Sequence, residues 1–315
     1  MSARFPSHYW AVILGGSSGF GLATAQKLAE HGMNCFLVHR DRRGAMARIE
    51  PEFEQVRRQR VSLVTMNVDA LDPAAREECL ARLGDALGAG GRVRVLLHSI
   101  ALGNLKLLLP ERAPERPAVG ELARALAIDA TQLAAAANRL FGEGFAALAP
   151  LADPPAYPSG AFLDEEDFAR TIHAMGTSLL TWARALLDRG LFADDARVFG
   201  LTSEGNTVAW RGYAAVAAAK VALESVSRAM AVEFAPYGVR SNIIQAGVTD
   251  TPALRAIPGH EHLAGQARLR NPFRRLTTPR DVANVIYLLS TDEAAWINGA
   301  LVRVDGGEHV AGAVG

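Results

Sequence analysis

The chain has 315 residues, of which 50% are hydrophobic and 21% are charged, and its formal net charge is zero. This composition predicts a soluble globular protein with a substantial core, and it disfavours nucleic acid or a membrane surface as the main partner. Only Cys35 and Cys79 are present, in no metal-ligand spacing, so we expect no metal site and a reducing, cytoplasmic location. The first residues lack the apolar core of a signal peptide, and no run reaches the roughly 18 apolar residues of a membrane span.

The secondary-structure signals begin with an apolar run over 9–14, which predicts a strand, followed by a glycine-rich turn and a helix over 22–32. Further apolar runs predict strands over 34–40, 61–68, 93–100, 196–203, 239–247 and 300–307. Helical patterns cover 73–87, 164–190, a long stretch from 211 onward, and 279–290. Strands that alternate with helices indicate a parallel sheet covered on both faces. We therefore predict an α/β fold with a doubly wound, Rossmann-type parallel sheet in a single domain over 1–315.

One segment, residues 105–162, interrupts this alternation. Proline-rich stretches bound it, and its middle, residues 119–141, has the pattern of one amphipathic helix. We predict an inserted helical segment near the mouth of the sheet, which either extends the cover over the site or serves an oligomer contact.

The turn after the first strand has the spacing G-x-x-x-G-x-G, formed by Gly15, Gly19 and Gly21. Glycines in such a turn let the backbone approach a pyrophosphate, which the free N–H groups of the following helix stabilise. The strand–turn–helix context therefore predicts a dinucleotide site, which also includes Ser17, Ser18 and Phe20.

The end of the second strand bears on the choice between NADP and NAD. A basic residue there binds the 2′-phosphate of NADP, whereas a carboxylate binds the ribose hydroxyl of NAD. Arg40, helped by Ser17, Ser18 or Arg42, suits the phosphate, and Asp41 suits the hydroxyl. We predict NADPH as the cofactor, with NADH second.

Tyr213 and Lys220 lie seven residues apart on the predicted helix that starts near residue 211. Because a helix turns by about 100° per residue, seven steps return Lys220 to within about 20° of Tyr213, roughly 10 Å along the axis. The two side chains therefore share one face of the helix.

These motifs, together with Asn67-Val68, the "AGVTDT" turn and the closing "VDGG", resemble the short-chain dehydrogenase/reductase family over nearly the whole chain except the insertion. Most members carry Y-x-x-x-K, an earlier serine and an asparagine on the preceding helix. Here Ala217 stands four residues after Tyr213, Gly200 stands thirteen before it, and the helix over 164–190 has no asparagine.

The Y-x6-K spacing resembles instead the enoyl-acyl-carrier-protein reductase branch, as do "HSIA" at 98–101 and "YGVRSN" leading into "AGVTDTPA". Ser203 takes the place of a second aromatic residue found in much of that branch, and the glycine loop is of the ordinary short-chain type. The resemblance implies catalytic roles for Tyr213 and Lys220, with Ser203 bonding substrate or tyrosine or merely ending a strand. It also implies cofactor contacts from Asn67, Val68, Ser99, Ile100, Ala101, Lys220, Gly247, Thr249 and Thr251.

The predicted function is NADPH-dependent reduction of an enoyl thioester, carried by acyl-carrier protein or coenzyme A, in fatty-acid or polyketide synthesis. Hydride reaches the β-carbon, Tyr213 stabilises the enolate and Lys220 holds the nicotinamide ribose. The alternatives are a 3-ketoacyl or other carbonyl reductase, with Asn104 or Asn138 replacing the missing asparagine, and a non-catalytic NADP-binding module. The family resemblance also implies a homotetramer.

Residues 250–277 lie where the family keeps its substrate-covering loop. Ala253, Leu254, Ile257 and Leu263 supply an apolar wall for an acyl chain. The arginines at its far end, Arg268, Arg270, Arg274 and Arg275, form either a portal for an acidic carrier or a solvated face. We expect His98, His173 and Trp182 to be structural, and Trp210 to pack near the pocket.

Overall fold

A computed structural model describes residues 4–110, 117–157 and 160–312. Within these residues, seven strands form one wholly parallel sheet of order β3-β2-β1-β4-β5-β6-β7. The strands are β1 Tyr9–Leu14, β2 Asn34–His39, β3 Leu63–Asn67, β4 Arg92–His98, β5 Phe192–Ser203, β6 Val239–Ala246 and β7 Leu301–Val304. The strand order reverses between β1 and β4, where parallel sheets of this kind leave a crevice at the carboxyl ends of their strands. The predicted doubly wound sheet in a single domain is confirmed.

Eleven helices accompany the sheet in the described part of the chain. They are α1 Gly19–Glu30, α2 Met46–Arg57, α3 Pro73–Leu87, α4 Pro117–Leu126, α5 Ala130–Gly142, α6 Glu165–Ile172, α7 Ser178–Asp188, α8 Ala214–Glu233, α9 Pro252–Arg255, α10 His260–Arg270 and α11 Pro279–Ser290. The sequence patterns did not single out α2, a polar helix that buries only Ile49, Phe53 and Val56.

Alternate residues of the central strands feed two separate cores. Trp10, Val12 and Leu14 of β1 pack with the inner faces of α3, α7 and α8. The residues between them, Ala11 and Ile13, pack with α1, α2 and α11. Because successive side chains of a strand point to opposite faces, this division places helices on both sides of the sheet.

The inserted segment differs from its predicted form, because residues 119–141 make two helices rather than one. Ala127 adopts a left-handed conformation with φ of 53° and ends α4. The carboxylate of Asp129 then accepts hydrogen bonds from the backbone N–H groups of Thr131 and Gln132 and starts α5. An aspartate in this position is a strong helix N-cap, and it outweighs the continuous apolar pattern across the break.

The helix predicted over 164–190 is also interrupted. A π-helical turn, His173–Thr177, separates α6 from α7 and packs against α8. Gly176 permits this contact, because a Cβ built on it would lie 2.9 Å from the carbonyl oxygen of Ala219. A π turn of this kind leaves no sequence pattern as distinct as a proline or a cap.

Residues 250–277, predicted to cover the substrate, contain α9 and α10, and a bridge between Thr249 and Thr277 closes their base. The inserted segment packs directly on them. The rings of Phe141 on α5 and His262 on α10 lie 4.6 Å apart, and Pro155 lies against Gly259. The described part of the insertion therefore packs on the segment that is predicted to cover the substrate; its role in that cover and the oligomer contact both stay predictions.

A buried charge network lies at the amino-terminal ends of three inner strands, β4, β5 and β6. Arg94 of β4 is 1% exposed and Arg197 of β5 is fully buried. Asp195 accepts from both arginines, and also pairs with Arg240 of β6. The same guanidinium groups donate to carbonyl oxygens at the end of α11, Ser290 and Leu289 among them. This network joins the amino-terminal ends of three strands to the carboxyl end of α11.

Among the described residues, no helix combines the length and the apolar character that a membrane span requires.

Candidate active site

A cavity of about 660 Å³ opens at the carboxyl ends of the strands, where the strand order reverses. Its lining brings together almost every residue that the sequence nominated. Tyr213, Lys220 and Ser203 border it, as do Gly15, Ser17, Ser18, Gly19, Phe20, Arg40, Val68, Ser99, Ile100, Ala101, Gly247, Thr249 and Thr251. Gly21 and Asn67 do not line the cavity; each contacts the backbone of a residue that does, Gly15 and Asp41 respectively.

The glycine turn fits a dinucleotide because it holds three pieces of backbone in close contact. A Cβ on Gly15 would lie 2.4 Å from the carbonyl oxygen of Ser99, and one on Gly21 would lie 2.1 Å from the carbonyl oxygen of Gly15. Helix α1 begins at Gly19, within this glycine motif, and the side chain of its N-cap, Ser18, makes no capping bond. The first N–H groups of α1 therefore remain available at the cavity, which suits a pyrophosphate.

The end of β2 presents a histidine, an arginine and an aspartate in sequence. His39 Nδ1 lies 2.9 Å from Asp41 Oδ2, so the aspartate is held by the last residue of the strand. Arg40 is largely exposed and pairs with Asp69 at 2.7 Å. The side chain of Asn67 exchanges hydrogen bonds with the backbone of Asp41, which explains why Asn67 supports the loop without lining the cavity.

Tyr213 is the N-cap of α8, with φ of −112°, and thus stands just before the helix rather than inside it. Its Oη lies 3.3 Å from Ser203 Oγ at the end of β5. Burial raises the pKa of the Tyr213 phenol, and the hydrogen bond with Ser203 partly opposes that rise. The phenol is therefore protonated at neutral pH and can donate a hydrogen bond into the cavity.

Lys220 is 8% exposed, and its Nζ donates to the carbonyl oxygen of Leu201 at 2.7 Å. Burial lowers the pKa of this ammonium group to about 8, while the nearby carboxylate of Glu224 raises it. Lys220 is thus a buried cation, placed on the helix that Tyr213 caps and against the same strand as Ser203.

The remaining wall of the cavity is apolar. The predicted side chains Ala253, Leu254, Ile257 and Leu263 all line it. Trp210 packs with Leu254 and Tyr213, as does Leu105 at the start of the insertion. This wall lies beside Tyr213, where it can hold an acyl chain.

The predicted arginine group does not act as one surface. Arg270 turns inward, where it pairs with Glu204 and with the buried Glu308 at the chain's far end. Arg275 pairs with Asp281, and Arg274 donates to the carbonyl oxygen of Leu269. Arg268 is exposed and is the member that best suits the predicted portal.

The secondary candidates have structural surroundings. His98 is buried beside Ser178, and burial lowers its pKa to about 3. His173 is exposed, and Trp182 donates to the carbonyl oxygen of Ala70. Asn104 donates to the carbonyl oxygen of Asp167 and lies outside the cavity lining, whereas Asn138 bonds Asp153 within the insertion.

Sequence reasoning missed the turn that follows Ser203. Glu204–Asn206 forms a short 3-10 helix, and Gly205 lies so close to the Tyr213 ring that a Cβ there would be 2.5 Å from Cε1. Glu224 on α8 accepts from Asn206 at 2.5 Å and from Thr202 at 2.6 Å. A glutamate four residues after Lys220 was a signal of this arrangement, since both then share a helix face.

Comparison with known proteins gives matches over most of the chain. Residues 145–309 match the family model described as Enoyl-(Acyl carrier protein) reductase, and residues 9–109 match the one described as short chain dehydrogenase. The 1-cyclohexenylcarbonyl-CoA reductase of Streptomyces collinus is 36% identical over 124 residues, which is 39% of this chain and 42% of that protein. The 3-oxoacyl-[acyl-carrier-protein] reductase FabG of Vibrio cholerae is 28% identical over 148 residues, 47% of this chain and 60% of that protein.

Such alignments span only about half the length of the curated relatives that the chain matches. Among solved structures, FabI from Candidatus Liberibacter asiaticus superposes with a TM-score of 0.73 at 18% identity, covering 98% of each chain. That likeness shows the fold.

Proposed function

The chain belongs to the short-chain dehydrogenase/reductase family, and from this membership we propose that it is an NADPH-dependent enoyl-thioester reductase. One observation carries the proposal: Tyr213 and the buried Lys220 border one cavity from positions seven residues apart, next to an apolar wall. The relative that reduces 1-cyclohexenylcarbonyl-CoA and the enoyl reductase family model support the same reading.

The cofactor would lie along the glycine turn and α1, with Ser99, Ile100 and Ala101 beside its nicotinamide end. When bound, it would supply the hydride for the reduction. NADPH is favoured over NADH because β2 ends in His39 followed by Arg40, and because His39 holds the Asp41 carboxylate that would otherwise suit a ribose hydroxyl. Arg40 would exchange its partner Asp69 for the 2′-phosphate.

Tyr213 would donate a hydrogen bond to the thioester oxygen, where negative charge develops when hydride adds to the β-carbon. This is the role of an oxyanion hole, and it requires a protonated phenol, which burial of Tyr213 favours. Ser203 would orient the phenol, and the Lys220 ammonium would stabilise the developing charge and bind the nicotinamide ribose.

The long spacing has a chemical reason in this scheme. Two atoms, the α-carbon and the carbonyl carbon, lie between the thioester oxygen and the carbon that accepts hydride. The hydrogen-bond donor to that oxygen must therefore stand farther from the nicotinamide than in a ketone reductase. Moving the tyrosine three residues farther from the lysine adds about 4.5 Å along a helix axis.

A carbonyl reductase is the second candidate, favoured by the FabG relative. It needs a proton relay beside the tyrosine, and the two asparagines considered for that task are engaged elsewhere, Asn104 with Asp167 and Asn138 with Asp153. We therefore rank it below the enoyl reductase. Acyl-carrier protein or coenzyme A as the carrier, and a homotetramer as the assembly, remain predictions.

The test follows oxidation of NADPH and NADH at 340 nm with crotonyl-coenzyme A, with crotonyl-acyl-carrier protein, and with acetoacetyl-coenzyme A as the rival substrate. Y213F should bind NADPH normally and lose most turnover. Y237F is the matched control, because Tyr237 is 61% exposed and lies at the far end of α8. Turnover of the keto substrate alone would refute the proposal, and tight NADPH binding without turnover of any of the three would favour a non-catalytic module.

A further inference from the structure

Lys220 and Glu224 lie one helical turn apart on α8, and both are fixed to consecutive residues of β5. Lys220 Nζ donates to the carbonyl oxygen of Leu201, and Glu224 Oε1 accepts from the hydroxyl of Thr202 at 2.6 Å. The same carboxylate oxygen accepts from Asn206 Nδ2 at 2.5 Å. These bonds hold the carboxylate in one place, on the helix face that carries Lys220.

The partners of Glu224 leave its charge uncompensated. Both hydrogen-bond donors, Thr202 and Asn206, are neutral, and no ion pair to Glu224 forms among residues 4–110, 117–157 and 160–312. A partly buried carboxylate without a cation at contact distance acts on the nearest buried charge through the protein interior, where screening by solvent is weak.

Other ionisable groups near Lys220 do not supply this negative charge. On β4, His98 is neutral, since burial lowers its pKa to about 3. On the π-helical turn, His173 is exposed, and on α6, Asp167 pairs with Lys106. In the turn after β5, Glu204 is neutralised by Arg270. Tyr213 is protonated, and the network of Arg197, Asp195 and Arg240 lies at the opposite ends of β5 and β6.

We infer that Glu224 is a positioning residue that keeps the buried Lys220 in its ammonium form at the pH of catalysis. It does not touch substrate or cofactor in this scheme; it acts through Lys220. The inference deepens the proposed function in one respect, because it gives a reason why Lys220 can bind ribose hydroxyls and stabilise an enolate from an almost fully buried position.

The sign of the effect is fixed by the two opposing influences on Lys220. Burial favours the neutral amine and lowers the pKa of Lys220 to about 8, whereas the Glu224 carboxylate favours the ammonium ion. Removal of that carboxylate therefore lowers the pKa further, toward or below neutral pH. An amine at position 220 would neither attract an enolate nor donate as strongly to a ribose hydroxyl.

The chain offers a direct measurement, because it contains only three lysines, Lys27, Lys106 and Lys220. Protein labelled with ¹³Cε-lysine should give three NMR signals, and K220M identifies the one from Lys220. Lys106 is an internal control, since its bond with Asp167 raises its pKa and separates its titration from that of Lys220.

Two substitutions remove the charge: E224Q, which keeps an acceptor oxygen for Thr202, and E224M, which does not. We expect each to lower the Lys220 titration midpoint by about one pH unit. E224D keeps the charge and should leave the midpoint within about 0.3 of the wild type. E233Q is the matched control, because it removes an exposed carboxylate that lies roughly 20 Å from Lys220 along the axis of the same helix.

Binding of NADPH, followed by nucleotide fluorescence, supplies a second readout that needs no thioester. At pH 8 we expect E224Q to bind NADPH about fivefold more weakly than the wild type, since about one in ten of its Lys220 side chains would be charged rather than half. A folded E224Q or E224M with an unshifted midpoint, or an equal shift in E233Q, would overturn the inference. Failure of enoyl reduction alone would refute the proposed function and leave the Lys220 titration as it is.

Discussion

A methyl group at Gly205 would meet the ring of Tyr213, and this makes G205A a precise perturbation of the site. The added Cβ would lie 2.5 Å from Tyr213 Cε1, so the ring must retreat by about 0.9 Å to reach the 3.4 Å of ordinary contact. Gly205 is not among the glycines with positive φ, so alanine is compatible with the backbone there. The substitution therefore acts on the tyrosine rather than on the turn itself.

The expected loss follows from the geometry of the donor. The bond between Tyr213 Oη and Ser203 Oγ is already 3.3 Å long, and a displacement near 1 Å would break it and misplace the phenol. Misplacement by about 1 Å can cost on the order of 100-fold in rate. We expect kcat for crotonyl-coenzyme A to fall by about that factor while the Kd for NADPH stays within about twofold.

The assay is steady-state NADPH oxidation together with nucleotide binding. G84A is the matched control, because Gly84 lies inside α3 with nothing within 4 Å of its built Cβ. It should leave kcat unchanged and stabilise the helix slightly. A G205A protein with wild-type kcat would refute the reasoning that the added methyl group displaces the Tyr213 ring from its working position.

Three further predictions concern stability. Between pH 8 and 10.5 the folded chain binds fewer protons at Lys220 than the unfolded chain, so this residue makes the free energy of unfolding rise with pH. K220M should abolish that rise and increase the Tm at pH 7. The same variant should bind NADPH more weakly. D195N should lower the free energy of unfolding in urea by about 3 kcal/mol, because the buried Arg197 loses the carboxylate that pairs with it, whereas Arg94 keeps Asp292; kcat should be unchanged. R270Q leaves Glu308, which is 1% exposed, without its cation. We expect the free energy of unfolding to fall by about 3 kcal/mol and the KM to rise, and R270K should largely restore both. An unchanged KM would show that other contacts hold α10 in place.

The sheet could be predicted because each strand is a short apolar run and because the runs alternate with helices. That alternation indicates a parallel sheet that is covered on both faces. Local sequence pattern alone predicted the seven strands. It also predicted the glycine turn, because glycines at this spacing are needed where backbone segments lie in close contact. The long-range partners were a different matter. Nothing in the order of residues indicates that Gly205 lies on the ring of Tyr213, or that Arg270 reaches Glu204 and Glu308.

Two errors of detail have local causes. The apolar pattern over 119–141 continues through the break at Ala127, and only the N-cap Asp129 reveals that a second helix begins there. Tyr213 looked helical because the residues after it are strong helix formers, although Gly212, with φ of 71°, bars the helix from extending further back. Both cases show capping residues overriding periodicity.

The charge network and the cavity lie at opposite ends of the same strands. The arginine network of Arg94, Arg197 and Arg240 lies at the amino-terminal ends of β4, β5 and β6, and the cavity lies at their carboxyl ends. Directed evolution could therefore treat this protein as two compartments. Libraries confined to 204–213 and 250–277 would vary residues at the cavity wall, while the amino-terminal ends of β4, β5 and β6 would keep the charge network and the stability that it contributes.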